Sequence, residues 1–186
     1  MKDDISKIKD SIIGEIWTED FHHSLAEYGP EVAKQVIESM SDDEIEIKVN
    51  ARRFQEDYIA DYLRYLWDIS KKSYWHHIYI SIDERAGLLW NDHMNHFAKM
   101  CNNKIPKKVL KKILLFYKNF REKPDDFYEN DIDLISCVLK AQIKTFGRWK
   151  DVENILEKFD LEDSKQFKKD IKALIKSECQ YQFHEL

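Results

Sequence analysis

Histidine is the first side chain to test for chemistry, because its ring titrates near neutrality and ligates metals through either nitrogen. The 186-residue chain has seven, at positions 22, 23, 76, 77, 93, 96 and 184. His93 and His96 stand three apart with Asp92 beside them, so on a helix they share a face and form the best candidate metal pair. A zinc-hydrolase helix instead carries His-Glu-x-x-His, with a glutamate base between ligands four apart. The run Asp92-His93-Met94-Asn95-His96 has neither that spacing nor that base, so ordinary packing is its expected role. Glu19 and His22 have the Glu-x-x-His spacing of carboxylate-bridged di-iron bundles, but such sites need the motif on two helices, and the chain has no second copy. The pairs His22-His23 and His76-His77 point about 100° apart on a helix and do not converge. No metal and no cofactor is expected.

Nucleophiles and phosphate loops fare no better. The chain has no Gly-x-Ser-x-Gly elbow, and its four glycines cannot supply a phosphate-binding loop. Asp57 and Asp61 lie one helical turn apart, but no neighbour in sequence would raise one pKa, so they read as a solvated face. Helical HEPN-type ribonucleases use an arginine followed, about four to six residues later, by a histidine; Arg85 and His93 are separated by seven residues and do not match. Cys101, Cys137 and Cys179 are odd in number and far apart, with no Cys-x-x-Cys pair, which reads as free thiols in a reducing cytosol. The expectation is a non-enzyme.

The elements that must position these residues read as helices almost throughout. Ile5, Ile8, Ile12 and Ile16 give a first helix near 3–15, weakened toward Gly14. Thr18 is placed to cap a second, with Phe21, Leu25 and Tyr28 on one face and Gly29 as its stop. Pro30 opens a third, with Ala33, Val36, Ile37 and Met40 inward. Ser41-Asp42-Asp43-Glu44 is a capping box, and a long helix through Ile69 can follow. Ile45, Ile47 and Val49 alternate, as do Ile78, Ile80 and Ile82, so 45–49 and 74–82 carry a competing strand reading. A second capping box at Ser81-Ile82-Asp83-Glu84 starts a helix through Trp90 and Phe97. Further helices follow from Pro106, over 131–146 to Gly147, from Trp149 to Phe159, and around Phe167 to Ile175. The expected fold class is all-α: an irregular bundle, or a short stack of antiparallel hairpins, of about eight helices. One domain over residues 1–186 is expected, with 123–130 as the candidate internal break.

Two surface features stand out. Residues 104–123 hold eight bases and one acid around a stripe of Val109, Leu110, Ile113, Leu114 and Phe120, a pattern suited to nucleic acid, to an anionic membrane surface, or simply to a core helix with a wet outer face. After Pro124, the residues Asp125, Asp126, Phe127, Tyr128, Glu129, Asp131 and Asp133 put five acids around two aromatics. Asp131 and Asp133 suit a helix start; the rest suit a partner surface, with acids speeding encounter and an aromatic supplying contact energy.

Composition bounds the rest. Thirty bases against 35 acids give −5 overall, and −12 outside 104–123. That balance argues against a whole-surface nucleic-acid binder. The aromatic and aliphatic content excludes a disordered chain, and no apolar run is long enough to span a bilayer. The start Met1-Lys2-Asp3-Asp4-Ile5 does not read as a secretory signal, so a cytoplasmic protein is expected.

In size, acidity, the patch Asp125 to Asp133 and the lack of a catalytic signature, the chain resembles the immunity proteins of bacterial polymorphic-toxin and contact-dependent growth-inhibition systems. The resemblance implies a protein that binds a cognate toxin, commonly a basic nuclease, and blocks its active site or substrate surface. The alternatives are a nucleic-acid-associated helical regulator using 104–123, or a metal-dependent helical enzyme.

Overall fold

The computed structural model describes residues 2–18, 20–50, 56–82, 102–126, 129–159 and 164–177, excepting the side chains of 2, 3, 17, 50, 56–59, 126 and 129–131. All regular elements among them are helical: α1 Lys2–Ile12, α2 Asp20–Glu27, α3 Pro30–Glu38, α4 Asp42–Asn50, α5 Glu56–Ile69, α6 Lys71–Ser81, α7 Lys107–Glu122, α8 Glu129–Phe146, α9 Trp149–Leu156 and α10 Ser164–Lys176. Short 3-10 turns follow α1 (Ile13–Trp17) and precede α8 (Pro124–Asp126). Ten α-helices among the described residues slightly exceed the expected eight.

The strand reading of 45–49 and 74–82 is overturned. Residues 45–49 lie within α4 and 74–81 within α6, with Ile82 just past its end. Burial shows why: Ile45, Lys48 and Val49 are buried on α4, and Tyr74, His77, Ile78 and Ser81 on α6. These are three- and four-residue spacings, so the alternating isoleucines were incidental to a helical face. The capping box at 41–44 forms as expected. The Glu44 N–H donates to Ser41 Oγ (3.3 Å), and the Ser41 N–H donates to Glu44 Oε2 (2.7 Å). Lys9 adds a 2.6 Å ion pair to the same carboxylate and ties α1 to this cap. The long helix expected over 42–69 is represented by α4 and α5, with 51–55 outside the described residues. Thr18 does not cap α2; its hydroxyl donates back to Glu15 O at the end of the 3-10 turn.

The chain divides between Ser81 and Ile82 into two compact units, so the acidic stretch 123–130 lies inside the second. In the first unit, Phe21, Leu25, Val36, Ile37, Leu63, Leu66 and Ile78 are fully buried or nearly so. Trp67, Tyr74 and Trp75 add edge-to-face ring contacts at 4.8 to 5.8 Å. Gly29 turns the chain from α2 into α3 with φ of 81°, a backbone that a Cβ disfavours.

In the second unit, α7 buries Val109, Leu110, Ile113, Leu114, Phe116 and Tyr117. Around this stripe lie buried Leu134, Ile135, Val138 and Leu139 of α8, Val152 and Leu156 of α9, and Phe167 and Ile171 of α10. A buried polar clamp holds the segment before α7. Gln142 accepts from the Ile105 N–H (3.1 Å) and donates to Asn103 O (2.8 Å). Arg148 donates to Ile105 O and to Asp151. Cys137 is buried and disulfide-bonded, which corrects the free-thiol reading for that residue and removes its support for a reducing compartment.

Candidate functional site

The acidic stretch is only partly described. Asp125 is exposed on the 3-10 turn, and Asp133 is half-buried on α8. The side chains of Asp126, Glu129 and Asp131, and Phe127 and Tyr128 altogether, lie outside the described residues, as do His93, His96 and the helix expected around Trp90. Among the described residues no group of three or more His, Cys, Asp or Glu side chains converges as a metal site. None of their helices is long and apolar enough to cross a membrane.

Charge is distributed by unit. Residues 1–81 hold 17 acids against ten bases, and residues 82–186 hold 18 acids against 20 bases. The chain's acidity therefore belongs to the first unit. Structure sharpens the imbalance by one charge, because one of the first unit's bases is withdrawn into the core, while its ion pairs cancel acid and base alike. Lys48 is 1% exposed. Lys9 is paired with Glu44, and Arg64 with Asp61 at 2.7 Å. Meanwhile Glu27, Glu31, Glu38, Asp43 and Glu46 are exposed. Tyr28, between Glu27 and the α3 start, is 43% exposed, the one large hydrophobic side chain left so among the described residues. The Gly29 turn holds it at the corner: the Tyr28 and Gly29 N–H groups donate to Leu25 O and Ala26 O.

Lys48 sits at a buried polar centre that sequence reasoning missed. Its ammonium donates to Thr18 O at 2.5 Å and lies 5.3 Å from the Phe21 ring centroid and 5.2 Å from that of Tyr62. Burial pushes its pKa down to about 8, with Asp20 opposing. On the other side of Tyr62, the hydroxyl meets His77 Nε2 at 2.9 Å, while His77 Nδ1 lies 2.8 Å from Ser73 O. A carbonyl only accepts, so Nδ1 carries the ring proton and Nε2 accepts from Tyr62. Burial, with the neighbouring His76, holds His77 down to about 3, against the opposing Ser73 bond. His22 is buried beside Tyr62 and Tyr65, and burial followed by His23 and Lys48 lowers it to about 4. The Tyr62–His77–Ser73 chain commits both of its protons internally, which suits a rigid core support more than proton transfer. The expected divergence of the adjacent histidines holds: His22 and His77 point inward, His23 is exposed, and His76 meets Asp42 at 2.8 Å.

The lysines of the 104–123 segment fall as their spacing predicts. Lys107, Lys108, Lys111, Lys112 and Lys118 occupy an arc of about 140° opposite the buried stripe of α7. Lys107 pairs with Asp151 at 2.9 Å, and Lys118 with Glu122 at 2.7 Å. A second lysine row escaped the sequence reading. Lys165, Lys169, Lys172 and Lys176 lie within an arc of about 60° on α10, opposite Phe167 and Ile171. Their four-three-four spacing was the available signal.

Compared with family models, curated proteins and solved structures, the chain matches none.

Proposed function

We propose that the protein is an immunity-type inhibitor that binds a cognate, basic toxin domain, a nuclease by charge class, and blocks its active site or substrate surface. The observation that supports this most directly is the acid excess of the first unit, 17 against ten, with one of the ten bases, Lys48, buried. Such a surface draws a basic partner at long range and repels nucleic acid. The corner Glu27-Tyr28-Glu31 is the contact point we favour. Tyrosine there loses its water on docking and supplies energy that rim charges do not. Asp125 to Asp133 is the second acidic contact in this reading.

The test begins with affinity capture from nuclease-treated source-cell lysate and identification of the partner. The recovered domain is then expressed alone and with this chain. The expected result is a stoichiometric complex with a basic domain that is toxic alone and harmless in co-expression. Glu27→Lys with Glu31→Lys should slow association about tenfold at low salt. Asp125→Lys with Asp126→Lys tests the second contact separately. Toxicity that persists in co-expression, or recovery of no protein partner, would overturn the reading.

A further inference from the structure

The second unit's tertiary structure gathers bases that are distant in sequence. Three contacts define the place. Arg148 binds Ile105 O, bringing Lys104 and the α7 start to the residue before α9. Lys107 reaches Asp151 in the first turn of α9 at 2.9 Å. Lys172 of α10 lies 5.1 Å from the Trp149 ring centroid in the same turn. The turn 148–151 is thus ringed by Lys104, Lys107, Lys150 and Lys172, all exposed, over the buried Arg148. Among the described residues of that turn, one carboxylate, Asp151, stands against these five cations, itself shared between Lys107 and Arg148. The next acid along α9, Glu153, follows two residues later, about 200° round the helix from Asp151. From this centre one lysine row runs along α7 and another along α10.

We propose that this three-helix basic surface is a binding site for the phosphate backbone of nucleic acid. The chain's −5 overall charge conceals it, because the first unit carries 17 acids against ten bases and the second unit's 20 bases are offset in number by 18 acids. Lysines serve this role as mobile point charges that neutralise phosphates without reading bases, so the site should bind without sequence preference. A membrane surface is the poorer fit. An interfacial helix inserts its apolar face into lipid, whereas the apolar faces of α7 and α10 are buried in the unit's own core. The site stands apart from the inhibitor reading, since different residues carry it.

The experiment uses the full chain with fluorescent mixed-sequence oligonucleotides, duplex DNA and single-stranded RNA, and with phosphatidylserine-containing vesicles as the competing surface. Binding to an oligonucleotide at low salt, weakening linearly in log Kd against log salt, is expected. Lys104→Glu with Lys111→Glu and Lys150→Glu should weaken it about tenfold or more and reduce the salt slope by about three. The three Lys→Arg changes should retain binding. These side chains are exposed, and circular dichroism of each variant checks that its helices persist. Lys7→Glu with Lys34→Glu and Lys72→Glu, all exposed in the first unit, is the charge-matched control. No oligonucleotide binding at low salt, an equal loss in the control, or binding to vesicles alone would overturn the proposal.

Discussion

Lys48→Met tests the polar centre of the first unit most sharply. Lys48 is buried, and burial lowers its pKa from 10.5 to about 8. One pKa unit corresponds to about 1.4 kcal/mol, so protonated Lys48 opposes the folded state by about 3 kcal/mol. The sign follows from proton counting. Between about pH 8 and 10.5 the unfolded chain holds a proton that the native chain has released, so unfolding free energy rises with pH across that window. Below pH 8 both states are protonated and the penalty is present in full. Methionine keeps the apolar stem and removes the charge. It also removes the bond to Thr18 O, which contributes about 1–2 kcal/mol. The balance is a variant more stable than the parent by about 1–2 kcal/mol at pH 7, a sign consistent with apolar replacement of buried charge. Urea unfolding followed by tryptophan fluorescence, from pH 7 to 10.5, measures it. The advantage should shrink above pH 8 and reverse near pH 10.5, because only the parent has the amine titration. A variant less stable at pH 7, with an unchanged pH slope, would refute the reasoning and show that the ring contacts and the Thr18 bond outweigh desolvation.

Acid should weaken the same unit. His22 and His77, lowered to about 4 and about 3, stay neutral in the fold while unfolded histidine protonates near 6.5, so their stabilisation is present above pH 6.5 and lost as pH falls toward 4. We expect a loss of about 2 kcal/mol per ring by pH 5, read from urea unfolding at pH 7.5 and 5; equal stabilities would contradict it. Ser41→Ala should cost about 1 kcal/mol through its half of the capping box, measurable by the same unfolding experiment. Arg148→Met leaves Asp151 and Ile105 O without their buried donor and should cost about 3 kcal/mol, seen as a lower urea midpoint. Thiol titration of the unfolded, unreduced chain should find one reactive thiol per molecule, rising to three after reduction; three before reduction would show that Cys137 is not bonded.

The all-α class, the capping box at Ser41, the proline start of α3 and the inward stripe of α7 were legible in the sequence, because each follows from local bonding and spacing within a turn or two. Where short-range signals conflicted, packing decided. Alternating isoleucines at 45–49 and 78–82 look like strands, but Lys48 and His77 turned into the core reveal the helical face. A polar residue at a core position is scored as surface until its partner is known, which is why Lys48, Gln142 and Arg148 went unread. Their partners Thr18, Asn103 and Ile105 lie 30, 39 and 43 residues away. The same limit applies to both surfaces. The acid excess was visible as a count, but its confinement to the first unit depends on the division at Ser81 and on Lys48 turning inward. Lysine rows at 107–118 and 165–176 are set by helical periodicity; their meeting at the start of α9 is decided by the Lys107–Asp151 and Lys172–Trp149 contacts, which no local rule supplies. Local chemistry determined the helices and their wet and dry faces, and long-range pairing decided which charges were withdrawn into the core and which were brought together outside it.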